Sequence, residues 1–191
     1  MTISGNVILT DIDGVVLNWF ASFDPWMNSH GHFRVAPAEY DIYKAYKIPK
    51  QQAKLLVRLF NESAHMGYLT PFRDSVKYMK KLHEEFGFVF HAITSQTTDH
   101  NAQKLRIMNL KALFGETLFD KFIILGCGDD KDAALEEYRD SGCIWVEDKV
   151  ENAQLGVRMG LDSFLMGHVH NRHCVDVPRV RSWREIYETL L

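Results

Sequence analysis

Two aspartates one residue apart, Asp11 and Asp13, follow the short apolar run Asn6–Thr10 and precede Gly14. A carboxylate at Asp11 can attack phosphorus and split one hard hydrolysis into two steps through an aspartyl-phosphate. Asp13 can protonate the leaving oxygen and later activate water. Further along, Thr94 and Ser95 follow a second apolar run, Gly126 to Asp130 lead from a third into Lys131, and Glu147 and Asp148 follow a fourth. Magnesium takes oxygen ligands, so Asp11 and Asp148 with a backbone carbonyl at Asp13 form the candidate metal set. Lys131 and the Thr94 hydroxyl, with Ser95 as a second donor, are suited to hold phosphoryl oxygens. Lys104 and Lys149 compete for the lysine role, but Lys131 sits at a loop-to-helix position on a strand exit, where ligands bind in open α/β sheets. Uncatalysed phosphate monoester hydrolysis is slow enough for enhancements of ~10²¹ to be known. A nucleophile, an acid, a cation and a metal together are proportionate to that barrier.

These residues need a scaffold that brings four strand ends to one edge. Five near-continuous apolar runs read as buried parallel strands: Asn6–Thr10, Phe88–Ile93, Phe122–Leu125, Cys143–Val146 and Ser163–Met166. Helical periods separate them. Asp74–Phe86 puts Val76, Met79, Leu82 and Phe86 on one stripe, and Asp99–Phe114 does so with Ala102, Leu105, Met108 and Leu113, Asp99 serving as N-cap. Shorter helices are predicted over Asp132–Arg139 and Glu151–Met159, the second ended by Gly160. A last helix is predicted over Ser182–Leu191, with Ser182 and Glu185 at capping-box spacing. Strand–helix alternation predicts an α/β fold, a three-layer, doubly wound parallel sheet.

One stretch breaks the alternation. Residues 20–70 show no strand and two helices, one after Pro37 and one after Pro49, as expected of proline in a first helical turn. They form a small inserted helical cap, leaving 1–19 and 71–191 as the core domain. Its aromatics, from Trp19, Phe20, Phe23 and Trp26 to Phe33, Tyr40, Tyr43 and Tyr46, either pack the cap or stack on a substrate. Trp19 and Phe20 are nearest Asp13. The tail His168-Val169-His170-Asn171-Arg172-His173-Cys174 contains zinc-type ligands. Lacking a second ligand pair at familiar spacing, it reads as a solvated loop beside the substrate.

Composition narrows the partners. Net charge is −3 over 191 residues, and the nearest approach to a basic cluster is Arg179, Arg181 and Arg184. That disfavours a nucleic-acid polymer. No apolar run approaches the length of a membrane span, and the first basic residue is Arg34, unlike a secretory signal. Three cysteines without metal-type spacing, Cys143 in a strand among them, read as reduced thiols. A cytoplasmic location is expected.

The ordered series resembles the haloacid dehalogenase superfamily of phosphatases. Asp11 and Asp13 match its D-x-D-G motif, Thr94 its strand-ending hydroxyl, Lys131 its lysine and Glu147-Asp148 its acidic fourth motif. The resemblance implies a magnesium-dependent phosphoaspartyl mechanism on small phosphate esters, with 20–70 as a type-one cap. Asp13 separates the chain from the dehalogenase branch, which lacks that aspartate. Thr94-Ser95 and Glu147-Asp148-Lys149-Val150-Glu151-Asn152 are similar to the 5'(3')-deoxyribonucleotidases, although Glu147 stands where that branch has aspartate. A nucleoside monophosphate is the implied substrate, with sugar phosphates or other small organic phosphates next. A non-catalytic phosphate-binding protein and phosphate-end processing on nucleic acid are the rival readings.

Overall fold

The computed structural model describes residues 6–191. Strand β1 (Val7–Thr10) is followed by α1 (Trp19–Ser29), α2 (Ile42–Ala45), α3 (Lys50–Asn61) and α4 (Ser75–Phe86). Then come β2 (Val89–Ser95), α5 (His100–Phe114), β3 (Phe119–Leu125), α6 (Asp132–Glu136), β4 (Ile144–Glu147) and α7 (Val150–Arg158). Strands β5 (Asp162–Met166) and β6 (Arg179–Val180) precede α8 (Trp183–Thr189). The six strands form one parallel sheet in the order β3-β2-β1-β4-β5-β6. The chain winds outward from β1 to β3, then crosses to β4 on the other side. The switch point therefore lies between β1 and β4, where the carboxyl ends of open α/β strands form a ligand crevice.

The period of two along β1 divides the core. Ile8 faces a cluster with Met79 and Leu82 of α4, Leu110 and Phe114 of α5, and Trp183 and Ile186 of α8. Leu9 faces the opposite cluster with Leu135 of α6, Leu155 of α7 and Trp145. Both faces are covered, which is why the strands are continuously apolar. The three expected layers are present.

Several features of the helices differ from the sequence expectation. Helix α1 forms although Pro25 lies inside it: Asn18 Oδ1 accepts from the Ala21 N–H at 3.3 Å, and Trp19, Phe23 and Met27 bury one stripe. That buried face offsets the hydrogen bond proline cannot make. Conversely, the helix expected after Pro37 is only the four-residue α2. On α5 the buried face is Ala102, Arg106, Asn109, Leu110 and Phe114, whereas Met108 is 49% exposed. Two polar residues on that face disguised its period. Finally, the Ser182–Glu185 capping box does not form. Asp74, at the start of α4, accepts from the Trp183 and Arg184 N–H groups at 3.0 and 3.2 Å, and Glu185 accepts from Arg181 N instead. Asp99 does cap α5, accepting from Ala102 N at 2.8 Å.

The segment carrying α1 to α3 leaves and rejoins the core through two adjacent strands of chain. Asn18 N donates to Thr70 O, and Phe72 N to Val16 O, both at 2.8 Å. A buried amide pair ties the same segment to the end of β2: Asn61 Nδ2 donates to Gln96 O at 3.1 Å, and Gln96 Nε2 to Asn61 O at 3.2 Å. Asn61 Oδ1 also accepts from Trp19 Nε1 at 2.9 Å. Trp19, Phe23 and Phe60 pack together, Trp19 stacked on Phe23 at 4.1 Å. Most of these aromatics therefore serve packing.

Candidate active site

The tip of β1 carries the tightest geometry. Strand pairing continues past Thr10, because Asp11 N donates to Val146 O at 2.9 Å. The loop then turns sharply at Gly14, φ +79°, where a Cβ would lie 2.5 Å from Asp148 Oδ2. Only glycine lets the fourth-strand carboxylate approach so closely. The sequence reading that acidic residues from β1 and β4 meet is geometrically satisfied: Asp11, Glu147 and Asp148 each offer an oxygen within 4.8 Å of the others.

Lys131, at the N-cap of α6, inserts between two of them. Its Nζ donates to Asp11 Oδ1 at 2.7 Å and to Glu147 Oε2 at 2.8 Å. Burial alone would lower the lysine pKa, but the Asp11 and Glu147 carboxylates outweigh it and raise it. Neither Lys104 nor Lys149 makes that contact. Glu147 is saturated, taking Lys131 and Asn152 Nδ2 on Oε2 and the N–H groups of Asp148 and Lys149 on Oε1. Burial acts against its charge, yet Lys131 and those N–H donors hold it below the usual carboxylate range. It supports its neighbours and has no oxygen to spare for a metal.

Asp11 and Asp148 are both raised, the opposite of Glu147. Burial pushes Asp11 up to about 7, with Lys131 opposing and Glu147 and Asp13 adding to the rise. Asp148 is raised by burial, then by Glu147 and Asp11. Two buried carboxylates carrying more negative charge than one lysine neutralises is a donor set that fits a hard divalent cation.

Thr94 is 1% exposed, and its hydroxyl oxygen has no hydrogen-bond partner among the described residues. Such an orphan costs about 1–3 kcal/mol unless a ligand satisfies it. Next to it, the Ser95 hydroxyl is engaged, donating to Asp129 O at 2.9 Å and bracing the loop that leads to Lys131. Asp13 is also engaged: both its oxygens meet Arg106 of α5, at 2.5 and 3.1 Å.

The histidine loop packs inward. His168 Nε2 donates to Gly14 O at 2.7 Å, and its ring stacks on His170 at 5.1 Å and on Phe72 at 5.0 Å. Burial lowers the His168 pKa to about 4, against the pull of that carbonyl. Asn171, fully buried, donates to Asp148 O and Met166 O at 2.8 Å and accepts from His168 N. So this segment clasps the backbone of both acidic tips rather than lying in solvent. Among the described residues His168, His170, His173 and Cys174 do not gather as ligands. Arg106 and Asn171 escaped the sequence reading because a mid-helix arginine and a loop asparagine carry no local signal.

A cavity of about 470 Å³ opens over these groups. Phe20, Ile42 and Val57 line it together with Tyr40, whose ring lies 4.9 Å from that of His170, and Arg34 lies 3.9 Å above the Phe20 ring.

No helix among the described residues is long and apolar enough to cross a membrane. A solved haloacid dehalogenase-like hydrolase of Streptococcus pneumoniae is 12% identical and covers 97% of this chain and 98% of its own, with a TM-score of 0.66. An L-2-haloacid dehalogenase gives 0.63 at 12% identity over 97% and 99%. The hydrolase YfnB of Bacillus subtilis, solved bound to magnesium, gives 0.58 at 15% over 97% and 98%. These likenesses show the fold. An uncharacterised 32.4 kDa protein of Enterobacteria phage T4 is 29% identical over 118 residues, 56% of this chain and 40% of the phage protein. The chain thus matches well under half of that relative's length. The family model of the 5' nucleotidase, deoxy (pyrimidine), cytosolic type C proteins matches residues 5–191. With the doubly wound parallel sheet and its acidic strand tips, this places the chain in that family, within the haloacid dehalogenase fold.

Proposed function

We propose that the protein is a magnesium-dependent phosphatase acting on (deoxy)nucleoside monophosphates through an aspartyl-phosphate on Asp11. The observation that carries this reading is the contact of Lys131 with Asp11, beside Asp148 and the orphan Thr94 hydroxyl. Lys131 occupies one oxygen of Asp11; the other is free to attack phosphorus. Asp11, Asp148 and the Asp13 carbonyl would hold magnesium, which supplies charge neutralisation between anionic nucleophile and anionic ester. As the new P–O bond to Asp11 forms, the bond to the leaving oxygen breaks and that oxygen takes a proton from Asp13. Water then attacks phosphorus, giving its proton to Asp13 and releasing phosphate with Asp11 restored. Lys131 and the Thr94 hydroxyl face the oxygens on which charge accumulates. A substrate contact by Ser95 requires its hydroxyl to leave Asp129.

The nucleotide refinement is supported by the family's designation and by the aromatic rings of Phe20 and Tyr40 in the cavity lining, suited to a base. Residues 20–70 act as a cap that excludes water on closing. The same reading puts the enzyme in the cytoplasm, in keeping with the family's cytosolic designation.

The test is a panel of phosphate monoesters with magnesium, using wild type and Asp11→Asn. Nucleoside monophosphates should exceed sugar phosphates and p-nitrophenyl phosphate in kcat/KM, and Asp11→Asn should abolish turnover of all. Preference for a sugar phosphate would remove the nucleotide assignment alone. Full activity in Asp11→Asn would remove the mechanism.

A further inference from the structure

Arg106 is a charged side chain with no exposure and, through the Asp13–Arg106 contact, one ionic partner. It approaches Asp13 from beneath the β1 loop with both terminal nitrogens, Nη1 at 2.5 Å and Nη2 at 3.1 Å. Nη2 also touches Met66 Sδ at 3.3 Å, in the 3-10 turn Ala64–Gly67 that returns the chain from the cap. Nε is buried without a partner among the described residues. A guanidinium so thoroughly desolvated is tolerated only against a fixed carboxylate, and its planar fork dictates the carboxylate's orientation. Asp13 itself retains 24% side-chain exposure and lines the cavity. Its two sides therefore serve different masters: one faces the ligand space, the other is locked by α5.

This conflicts with the task assigned to Asp13. With both oxygens on Arg106, neither is free to meet a leaving oxygen. A full departure would strand a buried charge, which typically costs several kcal/mol. Rotation that keeps one oxygen on Arg106 and frees the other avoids that cost.

We propose that Arg106 is the positioning residue for Asp13: it holds the ionised carboxylate of the ligand-free enzyme by both oxygens, and by one through turnover, while the freed oxygen, protonated from solvent as it swings away, passes that proton to the leaving group and takes one back from the attacking water. The inference rests on the phosphatase reading above. A lysine at this position would keep the charge but lose the fork, so Asp13 would no longer be aimed.

The consequence appears in leaving-group dependence. A p-nitrophenolate leaves without a proton, whereas the alkoxide of a nucleoside needs one. Because kcat/KM reports only the steps up to the first irreversible one, it isolates phosphoenzyme formation from the later attack of water. Arg106→Lys should lower kcat/KM for a nucleoside monophosphate by about tenfold to a hundredfold, within the range that general acid catalysis supplies, and for p-nitrophenyl phosphate by no more than about threefold. Equal losses for both esters, or none, would overturn the proposal and leave Arg106 a packing residue. A wild type that hydrolyses neither ester would instead remove the phosphatase reading.

Should the variant fail to fold, the unaltered protein gives a second readout. The Arg106 guanidinium signals are followed by NMR as magnesium and a beryllium fluoride phosphoryl mimic are added. They should shift as one oxygen of Asp13 lets go. Signals unmoved in a protein that has bound the mimic would overturn the pivot.

Discussion

Gly14 is the residue on which the meeting of the two acidic tips depends. Its φ of +79° is open to glycine at little cost, and a methyl there would sit 2.5 Å from Asp148 Oδ2 and 3.4 Å from His168 Nε2. Asp148 cannot retreat easily, because Asn171 and His170 both hold its backbone carbonyl. Gly14→Ala should therefore weaken magnesium binding by about tenfold or more, the scale expected when the groups that orient metal ligands are disturbed. Calorimetric titration with magnesium measures it, and unchanged affinity would show that the close approach is dispensable. That Asp11, Lys131, Glu147 and Asp148 come together was legible in the sequence because residues of these types stood at strand exits on one edge of the sheet. The groups that aim them were not. Arg106 lies inside a helix and Asn171 in a loop, and their roles exist only through partners 93 and 23 residues away.

Among the elements, the strands were readable because both faces of the sheet are covered and the runs are continuously apolar. Strand β6 was not: its two residues pair with Leu165 and Met166 only after the histidine loop has turned the chain. Helix α1 was hidden by Pro25, and α8 shows the reverse error, in which a correct local signal lost to a tertiary one. Asp74 takes the first two N–H groups of the helix, Trp183 and Arg184, in place of a cap from Ser182, joining the start of α4 to the start of α8. The capped helix then presents Trp183, whose Nε1 donates to Val15 O at 2.9 Å in the loop after β1. Asp74→Ala should cost about 1–2 kcal/mol, the upper range for losing an N-cap, while Ser182→Ala should be near neutral. Denaturant unfolding of the two variants decides between the caps, and a larger loss from Ser182→Ala would reverse the assignment.

At the scale of the whole molecule, the buried titratable groups of the site couple folding to pH. A carboxylate whose pKa is raised on folding binds its proton more tightly in the native state, so its contribution to stability is present at low pH and is lost as pH rises through the folded value. Asp11, raised from 3.8 to about 7 by burial, and Asp148, raised likewise, act in this direction. His168 acts oppositely: lowered from 6.5 to about 4 by burial, its contribution is present above 6.5 and is lost as pH falls toward 4. The two effects oppose each other between about pH 4 and 6.5, and above 6.5 the carboxylates act alone. Metal-free protein should accordingly melt at lower temperature as pH is raised from 6.5 to 8. A divalent cation held between Asp11 and Asp148 favours their ionised forms and removes the penalty, so the rise in Tm on adding magnesium should be greater at pH 8 than at pH 6. Calorimetry at the two pH values, with and without the metal, makes the comparison. The same increment at both would mean that the cation does not sit between these two carboxylates, and the divalent site would have to be sought elsewhere along the strand tips.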